Sequence, residues 1–310
     1  MPTHEERITG GLYGLLIGDA LGVPYEFHPP ERLPPRELLE FEPPAGFHRA
    51  HASVPPGTWS DDGAQALCLL ASLLYRGEVD EEELGRRLWN WYELGYMAVD
   101  ADVFDVGVQT RSAQERFRAG TSALESGPRG ERDNGNGSLM RVLPLALWHR
   151  GSDESLVEDA MRQSLVTHGH LRARVCCALY CLWARRTLEG AEEAWGEAVA
   201  TFRRLYPEGR EARTELERHV QPDTPERGRG SGYVVDCLRS ARDCVRAEGS
   251  YEGVVKAAGA LGNDTDTTAA VAGGIAGLRE GVQGIPERWR AALRGRELVE
   301  PLLSALLARG

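Results

Sequence analysis

The segment Ala260-Leu-Gly-Asn-Asp-Thr-Asp-Thr-Thr-Ala269 leads directly into the apolar run Ala270-Val-Ala-Gly-Gly-Ile-Ala-Gly277. The second part predicts a buried helix, because Ala and Gly side chains let neighbouring helices pack closely. An N-cap explains one Asp or Thr at the start of such a helix. It does not explain Asp264 and Asp266 together with Thr267 and Thr268, because unpaired buried carboxylates are costly to desolvate. We therefore expect a bound cation, and oxygen-only ligands favour Mg²⁺, Ca²⁺ or Mn²⁺ over zinc.

A second cluster of the same chemistry lies about 200 residues earlier in the chain. Gly57-Thr-Trp-Ser-Asp-Asp-Gly63 precedes the apolar run Ala64-Gln-Ala-Leu-Cys-Leu-Leu-Ala-Ser-Leu-Leu74. For either cluster alone, the simpler interpretation is a capped helix start, where acidic residues are favoured electrostatically. Two clusters of one design, each opening a buried helix, instead indicate a shared dinuclear metal site.

Bulk composition limits the classes of function. The chain has 310 residues, 42% hydrophobic and 27% charged, with a net charge of −11. This charge opposes sequence-independent binding to nucleic acid or to anionic membranes. The N-terminus does not resemble a signal peptide, and no apolar run reaches the ~18 residues that span a bilayer. We expect one domain over residues 1–310, a monomeric state and a cytoplasmic location.

The helical pattern predicts an all-α fold, a compact orthogonal helical domain with the metal site at its centre. Gly14, Gly18 and Gly22 recur every four residues and predict one tightly packed helix face. Asp19, on the same helix, is expected to have a structural role. No sustained alternation of apolar and polar residues demands strands. The predicted helices cover 8–22, 64–76, 80–97, 104–118, 155–164, 172–188, 191–205, 233–247, 251–261, the run after Asp264, a segment from Ile285, and 297–308, and residues 139–148 form a further apolar stretch.

Two long segments are predicted to be irregular. Residues 28–57 contain eight prolines, and Pro-Pro pairs exclude helix and central strand. Loops of this length in a compact domain are usually functional. Because this one joins the first glycine-rich helix to the Ser60-Asp-Asp62 cluster, we expect it to pass over the site, with Glu26 at its root. Residues 206–230 are polar, contain three prolines and are also predicted to be loop.

The six cysteines lie in apolar, helix-like stretches and are expected to be buried and reduced. Cys177 and Cys181 are four residues apart, and His168 and His170 lie just upstream. A zinc site is therefore an alternative, but the spacing matches no finger or ribbon pattern.

Seven short motifs, in order along nearly the whole chain, resemble those of the ADP-ribosylglycohydrolase family, which includes the enzyme that reactivates dinitrogenase reductase. The motifs are Gly18-Asp-Ala-Leu-Gly-Val-Pro-Tyr-Glu-Phe27, Ser60-Asp-Asp62, Phe104-Asp-Val-Gly107, Gly135-Asn-Gly-Ser-Leu-Met-Arg141, Thr167-His-Gly-His170, Gly232-Tyr-Val-Val-Asp236 and Gly262-Asn-Asp-Thr-Asp-Thr-Thr268. One such motif would be weak evidence, whereas all seven in order make a chance match unlikely.

The resemblance implies an all-α hydrolase that binds two divalent ions, Mg²⁺ or Mn²⁺. It implies cleavage of the N- or O-glycosidic bond between ADP-ribose and a modified arginine or serine side chain, or a small acceptor. The partner is then an ADP-ribosylated protein or a small ADP-ribose conjugate. The implied metal ligands are Ser60, Asp61, Asp62, Asp264, Asp266 and Thr267. Two departures from many relatives, Ser60 and Gly63 in place of Thr, leave the ligand set intact.

The resemblance also implies roles around the substrate. Glu26 aligns with a glutamate on a mobile loop, and Asp105 aligns with an acidic residue beside the metals. Catalytic candidates are Glu26, Asp62 and Asp105, with Asp62 and Glu26 the first choices as acid or base. The ADP-ribose-binding candidates are Glu26, the diphosphate loop Asn134, Gly135, Asn136 and Gly137 with Ser138 and Met140, and His168 and Tyr233 at the adenine end. That loop is expected to offer its backbone N–H groups at a helix start.

Each of these residues also has a structural interpretation. Glu26 is an exposed loop carboxylate in that view, Asp105 an N-cap, Tyr233 a core residue, and His168 part of a surface turn. Asn134 and Asn136 also suit tight turns without any ligand. At the level of function, two alternatives are open: a non-catalytic ADP-ribose-binding module, and a metal-dependent phosphoesterase.

Overall fold

The computed structural model describes residues 1–309. Over this range the chain forms fifteen α-helices, and its only β-type pairing is an isolated bridge between Gly135 and Tyr233. The predicted all-α fold is therefore confirmed. The helices are α1 His4–Gly22, α2 Asp61–Arg76, α3 Glu81–Leu94, α4 Val108–Arg118, α5 Ala123–Ser126, α6 Leu143–Trp148, α7 Asp153–Leu165, α8 Leu171–Glu189, α9 Ala194–Leu205, α10 Glu211–Glu215, α11 Val234–Ala247, α12 Tyr251–Gly259, α13 Thr265–Glu280, α14 Glu287–Ala292 and α15 Arg296–Leu307.

Helices α1 and α13 form the most intimate contact of the fold, along the predicted glycine face. A Cβ atom on Gly14 would lie 2.4 Å from the carbonyl oxygen of Gly273, and one on Gly18 would lie 2.2 Å from that of Ala269. At the end of α1, a Cβ on Gly22 would lie 2.3 Å from the Cα of Asp266. The two backbones touch, so the glycines place the end of α1 directly against the acidic start of α13.

The core is built around α8, most of whose residues are buried. This helix packs against α6, α7, α9, α11 and α13. All six cysteines are buried, and none forms a disulfide in the described part of the chain, as the sequence predicts. No helix within residues 1–309 has the length and apolar character needed to cross a membrane.

Several boundaries differ from the sequence prediction. The segment 206–230 is not all loop, because it contains α10 and a π-helical turn, Leu216–Val220. The buried side chains of this stretch recur every four residues: Ala212, Leu216 and Val220. Their packing stabilises helical structure, although the flanking prolines favour a loop prediction from the sequence. The helix predicted over 80–97 stops at Leu94, because Gly95 adopts a left-handed conformation with φ of 70°. The helix predicted from residue 104 begins only at Val108.

The segment 28–57 contains no α-helix and only short 3₁₀ turns, as predicted. Its far end returns to the root of the loop, where the Ala50 amide donates to the carbonyl of Pro24 at 2.9 Å. Nearby, the ring of His51 reaches the carboxyl of Glu26. The loop therefore does reach the region where the acidic residues collect.

Candidate metal centre and substrate cleft

The starts of α2 and α13 meet in the interior. The hydroxyl of Thr267 donates to Asp62 Oδ2 at 3.3 Å, and the hydroxyl of Ser60 donates to the same oxygen at 3.3 Å. The contact between Thr267 and Asp62 joins residues 205 positions apart in the sequence. The two acidic clusters are therefore parts of one site.

The carboxylates at this junction fit a hard divalent cation. Asp62 and Asp266 are fully buried, yet Asp62 Oδ1 and Asp266 Oδ2 have no hydrogen-bond partner in the described part of the chain. Burial, followed by repulsion from neighbouring carboxylates, raises the pKa values of Asp61, Asp62 and Asp266 well above the ordinary value. Oxygen atoms of Glu26, Asp264 and Asp266 also lie within 4.8 Å of one another. Buried, unpaired oxygen donors are the arrangement that Mg²⁺ or Mn²⁺ would stabilise.

Helix capping accounts for only some of the polar residues at the starts of α2 and α13. Ser60 is the N-cap of α2, and its hydroxyl accepts a hydrogen bond from the Asp62 amide. Asp264 stands at the N-cap position of α13, but its side chain makes no capping bond. Its carboxylate instead accepts from the side-chain amide of Asn136 at 2.8 Å. Asp266 Oδ1 accepts from the Thr267 amide at 2.9 Å, but its Oδ2 and the carboxylates of Asp62 and Asp264 accept no backbone N–H at either helix start, so capping does not explain them.

The Asp19 carboxylate holds the start of α2 in place through hydrogen bonds to its backbone. The carboxylate accepts from the Ser60 amide at 2.9 Å and from the Gly63 amide at 2.8 Å. Burial raises the pKa of Asp19 to about 7, although these two backbone bonds act in the opposite direction. The predicted structural role of Asp19 is confirmed, since its hydrogen bonds fix the segment that carries Asp61 and Asp62.

Glu26 and Asp105 complete the acidic centre. The interpretation of Glu26 as an exposed loop carboxylate is wrong, because only 4% of its surface is exposed. Burial, followed by the charges of Asp105 and Asp264, raises the pKa of Glu26 to about 10. Asp105 is no helix N-cap, since α4 begins three residues later and Asp105 has a φ of 52°. Burial and the charge of Asp264 raise the pKa of Asp105 to about 6.

A cleft of about 520 Å³ opens above this centre, a size that suits a nucleotide-like ligand. Its wall contains three of the six predicted metal ligands, whereas Ser60, Asp62 and Asp266 lie behind that wall. The predicted residues that line the cleft are Glu26, Asp61, Asp105, Asn134, Gly135, Asn136, Gly137, Met140, His168, Tyr233, Asp264 and Thr267.

The predicted diphosphate loop lies in the cleft wall but is not a helix start, so that part of the prediction is wrong. Residues 134–142 form turns, and α6 begins only at Leu143. The Gly135 amide donates to Gln109 Oε1 at 2.8 Å, and the Asn136 amide donates to the carbonyl of Gly232 at 3.1 Å. Ser138 does not face the cleft: its buried hydroxyl accepts from Ser164 at 2.8 Å.

His168 is buried rather than part of a surface turn. Its Nδ1 lies 2.8 Å from the hydroxyl of Thr167, and a Cβ on Gly137 would lie 2.8 Å from its Cε1. Burial, followed by the charge of Arg141, lowers the pKa of His168 to about 3. A neutral, fixed ring therefore stands against the glycines of the loop. Tyr233 is 40% exposed, so it is not a core residue.

Several residues of the site escaped the sequence analysis. Gln109 and Arg132 line the cleft, and His51 contacts Glu26. Gln109 lies two residues after the Phe104–Gly107 motif, and that position was the available signal. His51 and Arg132 lie in irregular segments with no pattern to single them out. The zinc alternative gains no support, because the groups of three or more possible ligands found within residues 1–309 contain no cysteine and neither His168 nor His170.

The fold and the cleft define an all-helical protein with an acidic centre that could hold metal. A family profile described as ADP-ribosylglycohydrolase matches residues 1–310. The chain therefore belongs to the ADP-ribosylglycohydrolase family, and the predicted family and class of hydrolase are confirmed.

Three similar proteins illustrate this membership. ADP-ribosylarginine hydrolase Tri1 of Pseudomonas putida is 32% identical over 313 residues, which cover 98% of this chain and 78% of that protein. ADP-ribosyl-[dinitrogen reductase] glycohydrolase of Rhodospirillum rubrum is 27% identical, covering 94% of this chain and 92% of that protein. A solved structure described as an ADP-ribosylglycohydrolase-related protein complex has a TM-score of 0.80 and 32% identity, covering 99% and 98% of the two chains.

Proposed function

We propose that this protein hydrolyses the glycosidic bond between ADP-ribose and a modified amino-acid side chain, and that arginine is the acceptor to test first. The observation that carries the proposal is the pair of unpartnered buried carboxylate oxygens, on Asp62 and Asp266, behind a cleft of nucleotide size. The similarity to an ADP-ribosylarginine hydrolase supports the choice of acceptor. A single domain, a monomeric state and a cytoplasmic location stay predictions.

We propose two Mg²⁺ or Mn²⁺ ions as the cofactors, with Ser60, Asp61, Asp62, Asp264, Asp266 and Thr267 as the protein ligands. When bound, such ions supply positive charge that neutralises the carboxylates and polarises hydroxyl and water oxygens. Burial and mutual repulsion of the side chains support this assignment, because they make the cluster costly to ionise without a cation.

The residues above the ligands have separate roles in this proposal. Glu26, a buried carboxyl group at the cleft wall, protonates the leaving acceptor atom and takes the proton back from the water that adds to the ribose carbon. Asp105 lies beside it and, once ionised, stabilises the positive charge that develops on the ribose as the bond opens. The Asn134–Gly137 turn and Arg132 hold the diphosphate, since both line the cleft and the Gly137 amide has no acceptor within residues 1–309. His168 and Tyr233 orient the adenine end.

The test uses purified protein and substrates that carry ADP-ribose on arginine, serine or a small acceptor. We expect release of free ADP-ribose that requires Mg²⁺ or Mn²⁺ and stops with a chelator. Release of AMP or phosphate instead would identify a phosphoesterase. Binding of ADP-ribose without turnover of any of these substrates would identify a binding module.

A further inference from the structure

Two histidines of the segment 28–57 contact Glu26: His28 Nδ1 lies 2.8 Å from its backbone carbonyl, and His51 reaches its carboxyl group. The His51 Nε2 lies 2.6 Å from Glu26 Oε2, a hydrogen-bond distance. The His51 and Glu26 side chains are only 15% and 5% exposed. Within residues 1–309, this is the one side-chain hydrogen bond of His51. The imidazole therefore hydrogen-bonds to the Glu26 carboxyl, and a carboxylate oxygen of Asp105 lies within 4.8 Å of both groups.

The backbone around this pair is held in an unfavourable conformation. The φ values of His51, Phe27 and Asp105 are 48°, 61° and 52°. They lie in the left-handed region, which residues other than glycine rarely adopt. Such residues cost on the order of 1–3 kcal/mol each and persist where surrounding contacts enforce them. The contacts here include the bond from the Ala50 amide to Pro24 and a 2.7 Å bond from the Phe27 amide to Asn263.

The imidazole ring is also fixed from its sides. Its centroid lies 5.6 Å from that of Phe27 and 5.0 Å from that of Phe104. Phe27 follows Glu26 in the chain and Phe104 precedes Asp105, so the two aromatic rings come from the segments that carry the two carboxyl groups. These contacts leave the ring little freedom to turn away from Glu26.

We propose that His51 is a positioning residue for the hydrolysis, holding the Glu26 carboxyl toward the scissile bond; this inference rests on the proposed function. Glu26 needs such a partner because its carboxyl oxygen lies within 4.8 Å of carboxylate oxygens of Asp264 and Asp266. The hydrogen bond to Oε2 fixes the orientation of the Glu26 carboxyl at the cleft wall. Misplacement of a reacting group by about 1 Å costs up to ~100-fold in rate.

The test compares His51→Ala, His51→Asn and His51→Gln with His48→Ala, an exposed histidine of the same segment. We expect His51→Ala to lower kcat about 10- to 100-fold, with KM and the Kd for ADP-ribose changed less than twofold. His51→Asn should recover part of the rate, because Asn donates hydrogen bonds and tolerates a left-handed backbone. His48→Ala should match the wild type. Thermal unfolding of every variant identifies any that fails to fold.

A double-mutant cycle separates positioning from a general structural role. In a Glu26→Gln background, His51→Ala should have no further effect on kcat, because the group that His51 positions is already disabled. An equal loss in both backgrounds, or a loss confined to KM, would overturn the inference. Unchanged kcat in His51→Ala with an active wild type would overturn it while leaving the proposed function intact. A wild type that releases no ADP-ribose from any substrate would overturn both.

Discussion

Thr267 Oγ1 lies 3.3 Å from Asp62 Oδ2, and this contact joins the first turns of two helices that are 205 positions apart at these residues. Each helix start carries one carboxylate oxygen without a hydrogen-bond partner in the described structure: Asp62 Oδ1 on α2 and Asp266 Oδ2 on α13. The glycine face of α1 brings α13 to this position, and Asp19 holds α2 there. The packing of α1, α2 and α13 thus brings the buried carboxylates together at one site.

Neutralising one carboxylate should separate its functional role from its structural role. Asp266→Asn is expected to lower the rate of metal-dependent ADP-ribose release by more than about 100-fold, because an unpaired ligand oxygen is lost. The same change should stabilise the metal-free protein by about 1 kcal/mol, since it removes repulsion among buried carboxylates. Activity assays and urea unfolding in chelator measure the two effects. The control is Asp102→Asn, on an exposed aspartate. Destabilisation of the metal-free Asp266→Asn protein would mean that the carboxylate is structural.

The contact between α1 and α13 predicts a large difference between two glycine substitutions. Gly18→Ala is expected to destabilise the fold by about 3 kcal/mol or more, because its Cβ would lie 2.2 Å from the carbonyl oxygen of Ala269. Gly196→Ala, in α9, should stabilise it by up to about 1 kcal/mol, since nothing lies within 4 Å of the added Cβ. Urea unfolding at neutral pH checks both. Equal effects of the two substitutions would contradict the close approach of the helices.

His149, which follows α6 directly and does not line the cleft, should make the fold sensitive to acid. Its Nδ1 accepts from Arg185 at 2.7 Å and from the Gly151 amide at 3.1 Å, so protonation there breaks both bonds. Burial, followed by the charges of Arg185 and Arg150, lowers the pKa of His149 to about 4. Because the folded pKa lies below the unfolded value of about 6.5, the stabilisation is complete above pH 6.5 and is lost as pH falls toward 4.

We therefore expect the wild type to lose about 2 kcal/mol more than His149→Gln between pH 7.5 and pH 4.5. Glutamine keeps an acceptor for Arg185 but does not titrate. Urea unfolding in chelator at both pH values measures this difference. Parallel losses in the two proteins would show that His149 does not titrate within this range.

Elements whose signal is local or periodic were predictable from the sequence. The glycine spacing of α1 predicted a closely packed helix face. The acidic starts of α2 and α13 predicted two related clusters. Each of these signals depends on residues that lie within a few helical turns of one another. The meeting of Asp62 and Thr267 required the further argument that unpaired buried charge needs a shared cation.

What could not be predicted depends on contacts between distant segments. Helix α10 and the π-helical turn after it are held by the packing of Ala212, Leu216 and Val220, which outweighs the effect of the prolines around them. The turn at Asn134–Gly137 is set by Gln109 and Gly232, so its motif alone could not reveal that no helix begins there. His51 reaches Glu26 through a left-handed backbone inside an irregular segment, and no local propensity predicts that conformation.

The account depends most on whether the two acidic helix starts bind divalent cations together. Diffraction from crystals soaked in Mn²⁺, collected at a wavelength where manganese scatters anomalously, tests this directly. We expect anomalous peaks between the carboxylates of Asp61 and Asp62 on one side and those of Asp264 and Asp266 on the other. Saturating Mn²⁺ with no peak at this junction, or a structure in which Asp62 and Thr267 lie far apart, would contradict the central claim.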